Sequence, residues 1–223
     1  MELKEILKRV DHTLLKQTAV WTDIKDLCDD AVKYEVASVC IPQCYVKEAK
    51  EYFDSINEEM AICTVIGFPN GNMTAEVKSF EAADAVKNGA DEIDMVINIG
   101  ALKDKEYDYV KSEIEEIRDS ISGKTLKVII ETCYLTEEEI IKMTEICNNT
   151  FVNFIKTSTG FGTRGASLDD IKIMNEYKNE TLEIKASGGI KDYETALQML
   201  DAGATRLGTS SGVKIMEVED ETI

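Results

Sequence analysis

Short apolar runs alternate along the chain with longer stretches in which apolar residues recur every three or four positions. The runs fall near 9–13 (RVDHT), 37–41 (ASVCI), 61–68 (AICTVIGF), 92–98 (EIDMVIN), 126–131 (LKVIIE), 153–159 (NFIKTST), 182–187 (LEIKAS) and 206–210 (RLGTS). Their length and composition predict strands. The stretches between them read as amphipathic helices. WTDIKDLCDDAVKYE puts Ile24, Leu27, Cys28 and Val32 on one stripe, with Thr22-Asp23 as the expected cap. Thr74 is a candidate cap for MTAEVKSFEAADAVKNG, although Val77 cannot complete a capping box, and Gly89 offers its C-terminal stop. TEEEIIKMTEICNN and SLDDIKIMNEYKNE each open with a hydroxyl residue followed by acids, as a helix N-terminus prefers.

Eight strands alternating with helices predict a parallel sheet with helices outside. The number eight and the near-even spacing favour a closed (β/α)8 TIM barrel, one domain over residues 1–223, rather than an open doubly wound sheet. No GxGxxG follows the first predicted strand, which argues against dinucleotide binding.

Net charge narrows the partners. At −18 the chain repels nucleic acid and anionic membranes, and an anionic substrate would need a local site. The N-terminal stretch is charged and lacks an apolar signal core, and no window resembles a membrane span, so a cytoplasmic location is expected. The six cysteines are scattered through mostly apolar runs and read as small hydrophobes; Cys40 and Cys133 are expected in the core or lining a cavity. With a single histidine, His12, a His-rich metal centre is excluded and no zinc site can be assembled. His12 itself reads as a hydrogen-bonded scaffold residue.

The candidate chemistry lies in charged residues that interrupt the apolar runs. Lys127, Lys156 and Lys185 recur at even spacing, each inside a predicted strand. Burying an ammonium costs its hydration, so a lysine there needs a reason. Inward-facing residues alternate along barrel strands, and active sites gather at the strands' C-terminal ends. With the lysines inward, adjacent strands bring Asp94, Lys127, Lys156 and Lys185 into one cavity. Repulsion between Lys156 and Lys185 is expected to drive a proton off one amine, making it a nucleophile. Asp94 reads as a proton shuttle, a counter-ion, or both. Glu131 and Lys127 are expected to pair in support of the site.

Glycines and hydroxyls cluster at the last strand ends: Gly160, then Gly188 and Gly189, then Gly208, Ser210 and Ser211. Such loops let backbone N–H groups approach a phosphate. Asp11 or Thr13, on the first strand, could touch a substrate hydroxyl, and Thr159 is placed with the substrate-binding residues.

At these positions the chain resembles deoxyribose-phosphate aldolases, in DHTLLK (11–16), SVCIP (38–42), TVIGFPNG (64–71), GADEIDMVINIG (89–100), KVIIETC (127–133), FIKTSTGF (154–161), IKASGGI (184–190) and GATRLGTSSG (203–212). The resemblance implies a class I aldolase that reversibly cleaves 2-deoxy-D-ribose 5-phosphate to D-glyceraldehyde 3-phosphate and acetaldehyde, without metal or organic cofactor. It implies that Lys156 forms the Schiff base, that Lys185 perturbs it, that Asp94 handles protons, and that Gly160, Gly188, Gly189, Gly208, Ser210 and Ser211 hold the phosphate. Two departures stand out. Some members carry a C-terminal tyrosine, whereas this sequence ends Asp220-Glu221-Thr222-Ile223, which bears on how the enamine is protonated. Some carry a lysine where this chain has Phe161, which leaves Lys191 or backbone groups to meet the phosphate.

Alternatives remain open from sequence: another imine-forming aldolase or transaldolase, a non-catalytic sugar-phosphate binder, or a metal-dependent aldolase. A homodimer is also left open.

Overall fold

The computed structural model describes residues 1–210. Its strands are β1 (Val10–Thr13), β2 (Ser38–Ile41), β3 (Ile62–Ile66), β4 (Glu92–Val96), β5 (Thr125–Ile129), β6 (Phe154–Lys156), β7 (Glu183–Ser187) and β8 (Arg206–Thr209). They pair in parallel in sequential order, and β8 closes onto β1 through Asp11↔Gly208. The expected TIM barrel is the fold. Among the described residues, helices α1 (Leu3–Leu7), α2 (Trp21–Tyr34), α3 (Val46–Ile56), α4 (Ala75–Lys87), α5 (Ile99–Lys103), α6 (Tyr107–Ser120), α7 (Glu137–Asn148), α8 (Leu168–Tyr177) and α9 (Tyr193–Asp201) accompany the strands.

The alternation of side chains divides the molecule into two environments. Residues facing out from the strands, such as Val39, Ile93, Met95, Val128, Ile155, Ile184 and Leu207, pack with Ile24, Phe53, Ile114, Met143, Ile171 and Leu200 of the helices into one large apolar cluster. Inside the barrel a small apolar cluster forms from Cys40, Cys63 and Val65. Beside it the interior holds polar groups, among which Asp11, Ser38, Asp94, Lys127 and Lys185 are fully buried. Hydrophobic stabilisation therefore resides between barrel and helices, which frees the interior for charge.

Local signals set most helix starts. Thr136 Oγ1 accepts from Glu139 N (3.3 Å) while the Glu139 carboxylate accepts from Thr136 N (2.8 Å), and Ser167 and Asp170 do the same for α8. Thr74 caps α4 by accepting from Val77 N at 3.4 Å. At α2 the expected cap shifts: Val20 holds the cap position, and Asp23, inside the first turn, accepts from Val20 N at 3.0 Å. The predicted strands 61–68, 92–98 and 153–159 overrun the paired segments. There the chain turns away into loops: Gly67 takes a left-handed φ of +58°, Asn98 caps α5 through Ala101 N (3.1 Å), and Ser187 Oγ donates to Ser158 O (2.6 Å).

One ion pair outside the barrel anchors its upper loops. Lys78 Nζ on α4 is fully buried and meets Glu113 Oε1 on α6 at 2.6 Å, Gly71 O at 2.6 Å and Val96 O at 2.8 Å. Glu113 Oε2 accepts from Asn98 N at 3.0 Å. Burial drives both groups toward neutrality, raising the Glu113 carboxyl and lowering the Lys78 ammonium, although each opposes the other's shift. Lys78→Met or Glu113→Leu alone is expected to cost about 3–5 kcal/mol by stranding a buried charge. The double variant should lose clearly less than the two single losses added together. Urea unfolding checks this, and strictly additive losses would contradict it.

Candidate active site

Strands β4 to β7 deliver their charged residues inward, as the side-chain parity implied. The register sets Asp94 beside Lys127 and Lys156 beside Lys185. Three ammonium groups converge on one carboxylate: Lys127 Nζ lies 2.8 Å from Asp94 Oδ1, and Lys156 and Lys185 Nζ each lie 2.7 Å from Oδ2. A second layer supports the first. Asp11 pairs closely with Lys185, and its Oδ1 accepts from Arg206 Nη1 (2.7 Å) and Ser38 Oγ (2.8 Å). Glu92 joins Lys127 (2.5 Å) to Arg206 (3.3 Å), whose guanidinium lies over the Phe154 ring at 5.2 Å.

This network fixes protonation states. Burial alone would raise the Asp94 carboxyl, but Lys127, Lys156 and Lys185 outweigh it and hold the group well below the usual carboxylate range. Asp11 is likewise held low by Lys185, Lys127 and Arg206 against its own burial. Burial would push the Lys185 ammonium down, yet Asp11 and Asp94 hold it above the ordinary lysine range; Lys127 is raised in the same way, chiefly by Asp94. Lys185 is thus the amine that stays cationic, held so by the carboxylates between and beneath the lysines, which reasoning from repulsion alone left out. The expected Glu131–Lys127 pair is corrected: Lys127 pairs with Glu92 and Asp94, while Glu131 accepts from Thr159.

Above the network a cavity of about 280 Å³ opens at the C-terminal ends of β1, β6, β7 and β8. Lys156, Thr159, Gly160, Gly188, Gly189, Gly208 and Ser210 line it together. Gly188 and Gly189 adopt left-handed φ values of +79° and +81°. Gly208 leaves room for a lysine, because a Cβ there would stand 3.1 Å from Lys185 Cε and 3.0 Å from Ser187 Cβ. Of the three strand residues expected to do chemistry, Lys156 reaches the cavity; Asp94 and Lys185 lie fully buried beneath it. Asp11, expected with Thr13 as a candidate to touch a substrate hydroxyl, is instead fully buried in the lower layer, its Oδ1 accepting from Ser38 and Arg206 and its Oδ2 ion-paired with Lys185. Thr13 does line the cavity, its hydroxyl donating to Asp11 O at 2.8 Å. Ser211 lies outside the described residues.

One further expectation changes, and that for Cys40, core or cavity lining, holds. His12 faces outward on β1, and its buried Nδ1 has no hydrogen-bond partner, so it is not the hydrogen-bonded scaffold residue expected. Cys40 lies inside the barrel with Cys63 and Asp94, their ligand-type atoms within 4.8 Å of one another. A cation already serves that spot, because Lys127 Nζ approaches Cys63 Sγ at 3.4 Å and both Asp94 oxygens accept from lysines. Sequence reasoning missed Glu92 and Arg206, although each is a charge in a barrel strand, the same signal that marked the lysines. It also gave no role to Lys16, which lines the cavity.

The model of the DeoC/LacD family of aldolases matches residues 6–217. The chain belongs to this family. It is 56% identical over 220 residues to a deoxyribose-phosphate aldolase of Clostridioides difficile, covering 99% of both chains. Among solved structures it is similar to QR15, an aldolase, at 40% identity and a TM-score of 0.91, over 97% of this chain and 96% of that one. It is also similar to the tetrameric deoxyribose phosphate aldolase of Aeropyrum pernix, at 27% identity and a TM-score of 0.91, over 100% and 94% of the two chains. Among the described residues of this DeoC/LacD aldolase, no helix is long and apolar enough to cross a membrane.

The charge network sets a pH expectation for the family member in hand. Carboxyls held low, Asp94 and Asp11, contribute stability that is present above about pH 4 and lost as pH falls through their folded values. Ammonium groups held high, Lys127 and Lys185, contribute stability present below about pH 10 and lost as pH rises through theirs. Asp94→Asn should therefore cost about 3–5 kcal/mol, nearly constant from about pH 5 to 9. Urea midpoints across that range check this; a cost that changes steeply between about pH 6 and 8 would contradict it.

Proposed function

We propose that the chain is a class I aldolase that reversibly cleaves 2-deoxy-D-ribose 5-phosphate to D-glyceraldehyde 3-phosphate and acetaldehyde. The observation that carries this reading is the position of Lys156 Nζ, on the cavity floor and 2.7 Å from a buried carboxylate. A binding protein has no use for an amine desolvated in this way, whereas imine chemistry requires one. The 56%-identical relative named a deoxyribose-phosphate aldolase supports the substrate.

In this reading the free-base Lys156 amine adds to the aldehyde carbon C1 of the open-chain sugar. Loss of water leaves a protonated imine. Asp94, through a water, accepts the proton of the C3 hydroxyl; the C2–C3 bond breaks, and its electron pair moves into the imine to form an enamine. Glyceraldehyde 3-phosphate leaves with C3 as its aldehyde. Protonation of the enamine at C2 and hydrolysis then release acetaldehyde and the amine. Asp94 is held strongly anionic, so it keeps a proton only transiently and passes it on. Lys185, held cationic by Asp11 and Asp94, is the second active-site lysine.

The charge count agrees with an electron sink. Asp11, Glu92 and Asp94 are matched by Lys127, Lys185 and Arg206. With Lys156 as the free amine the interior is balanced, and the cationic imine is its one unmatched charge. Bond cleavage converts that cation to a neutral enamine while the hydroxyl proton passes through the water to Asp94. The imine thus supplies the electron sink, and the excess positive charge moves to the carboxyl, from which it must leave again.

Incubation with acetaldehyde and borohydride, followed by peptide mass spectrometry, should find the reduced adduct on Lys156. Lys156→Leu should abolish both adduct and turnover while keeping the folded far-ultraviolet dichroism, and Asp94→Asn should lower kcat by about 10²–10⁴-fold. An adduct on Lys127 or Lys185, or turnover by Lys156→Leu, would overturn the assignment.

A further inference from the structure

The cavity wall carries few charges. Among the described residues lining it, the cationic side chains are Lys156 and Lys16. Lys156 is engaged with Asp94 and, in the reaction proposed above, becomes covalently bound to the sugar. Lys16 lies just past β1, at the rim, exposed and with no carboxylate partner among the described residues.

Other cations near this end of the barrel are unsuited to a ligand in the cavity. Arg164 is tied down: its Nη1 and Nη2 lie 2.5 Å and 3.1 Å from the two Asp170 oxygens, and Nη2 also donates to Thr132 O at 3.3 Å. Lys191, one expected helper, is not part of the wall, and Phe161 supplies an aromatic face packed edge-on against Phe68 at 5.4 Å. Across from Lys16 the wall is backbone: Gly160, Gly188 and Gly189, all with left-handed φ, and Ser210. Backbone N–H groups orient a phosphate but do not neutralise it. With a net charge of −18 the protein repels a dianion at long range, so a local cation is needed to hold one.

We propose that Lys16 is the phosphate-gripping cation of this cavity, closing on the substrate phosphate from the β1 side against the Gly188-Gly189 backbone, and that it sets the preference for phosphorylated over unphosphorylated sugars. This rests on the sugar-phosphate reading above. An unpartnered lysine pays rotamer entropy to close, and regains it only when a charge-assisted bond to the phosphate forms. The contact is therefore specific to phosphorylated ligands.

Initial rates on 2-deoxy-D-ribose 5-phosphate and on 2-deoxy-D-ribose, for the parent, Lys16→Met and Lys16→Arg, test the proposal. Lys16→Met should lose about tenfold or more in kcat/KM on the phosphorylated sugar relative to its loss on the unphosphorylated one, almost all of it in KM. Lys16→Arg should recover most of that loss. An unchanged KM for the phosphorylated sugar, or equal losses on both sugars, would overturn the role. Thermal shift with inorganic phosphate separates the two readings: phosphate should raise the unfolding temperature of the parent and not of Lys16→Met. If that difference appears while the parent cleaves neither sugar, the aldolase reading fails and the phosphate site stands. If phosphate stabilises both proteins equally, Lys16 is not the cation.

Discussion

A closed barrel interior cannot hydrate charge, so every charge placed there must be answered by another within a few ångströms. This constraint organises the molecule. Lys127, Lys156, Lys185 and Arg206 enter the interior together with Asp11, Glu92 and Asp94, and the contacts among them link β1, β4, β5, β6, β7 and β8. Asp94 is the hub, accepting from three lysines at 2.7–2.8 Å. Such a network is a weak contributor to net stability, because its gains mostly offset desolvation. It persists here because the apolar cluster between strands and helices stabilises the fold independently.

Layering gives the charges different tasks. The lower layer of Asp11, Glu92 and Arg206 does not line the cavity above and serves to keep Lys127 and Lys185 cationic. The middle layer, Asp94 with Lys185, is buried yet adjoins Lys156, the amine of this network that reaches the cavity. Small residues let the layers meet: Gly208 leaves room for the Lys185 side chain, and Thr157 and Ser187 tie the ends of β6 and β7 through Ser187 N to Thr157 Oγ1 at 3.1 Å. Substitution at Gly208 would displace Lys185 before it touched any ligand.

Much of this was readable from residue order. Period-two alternation placed Asp94, Lys127, Lys156 and Lys185 on inward positions, and the count of strands implied closure. Caps at Thr74, Thr136 and Ser167 were visible because their chemistry is local. What was hidden is whatever depends on distant partners. Nothing near Lys185 in sequence announces that Asp11, on the first strand, comes to lie beneath it; closure of β8 onto β1 does that. What holds the Lys185 charge was hidden for this reason, since repulsion between neighbouring strands is visible in the sequence and the compensating carboxylates are not. Strand ends were overrun because Thr157, Ser158 and Asn98 have good strand surroundings but spend their side chains on loop contacts.

In the proposed reaction one carboxylate serves as both counter-ion and proton carrier. Its lysine neighbours, Lys127 and Lys185 cationic among them, make Asp94 a poor resting base. Each proton it accepts also removes the negative charge that those neighbours require, so protonated Asp94 leaves the interior with excess positive charge. That state is unstable in a medium that cannot screen it. In the reaction proposed above, a proton arriving at Asp94 would therefore be expelled toward whatever nearby atom has just gained electron density, which after C2–C3 cleavage would be the enamine carbon. A strongly depressed basicity thus suits a relay, where a group must release a proton quickly, better than it suits a reservoir.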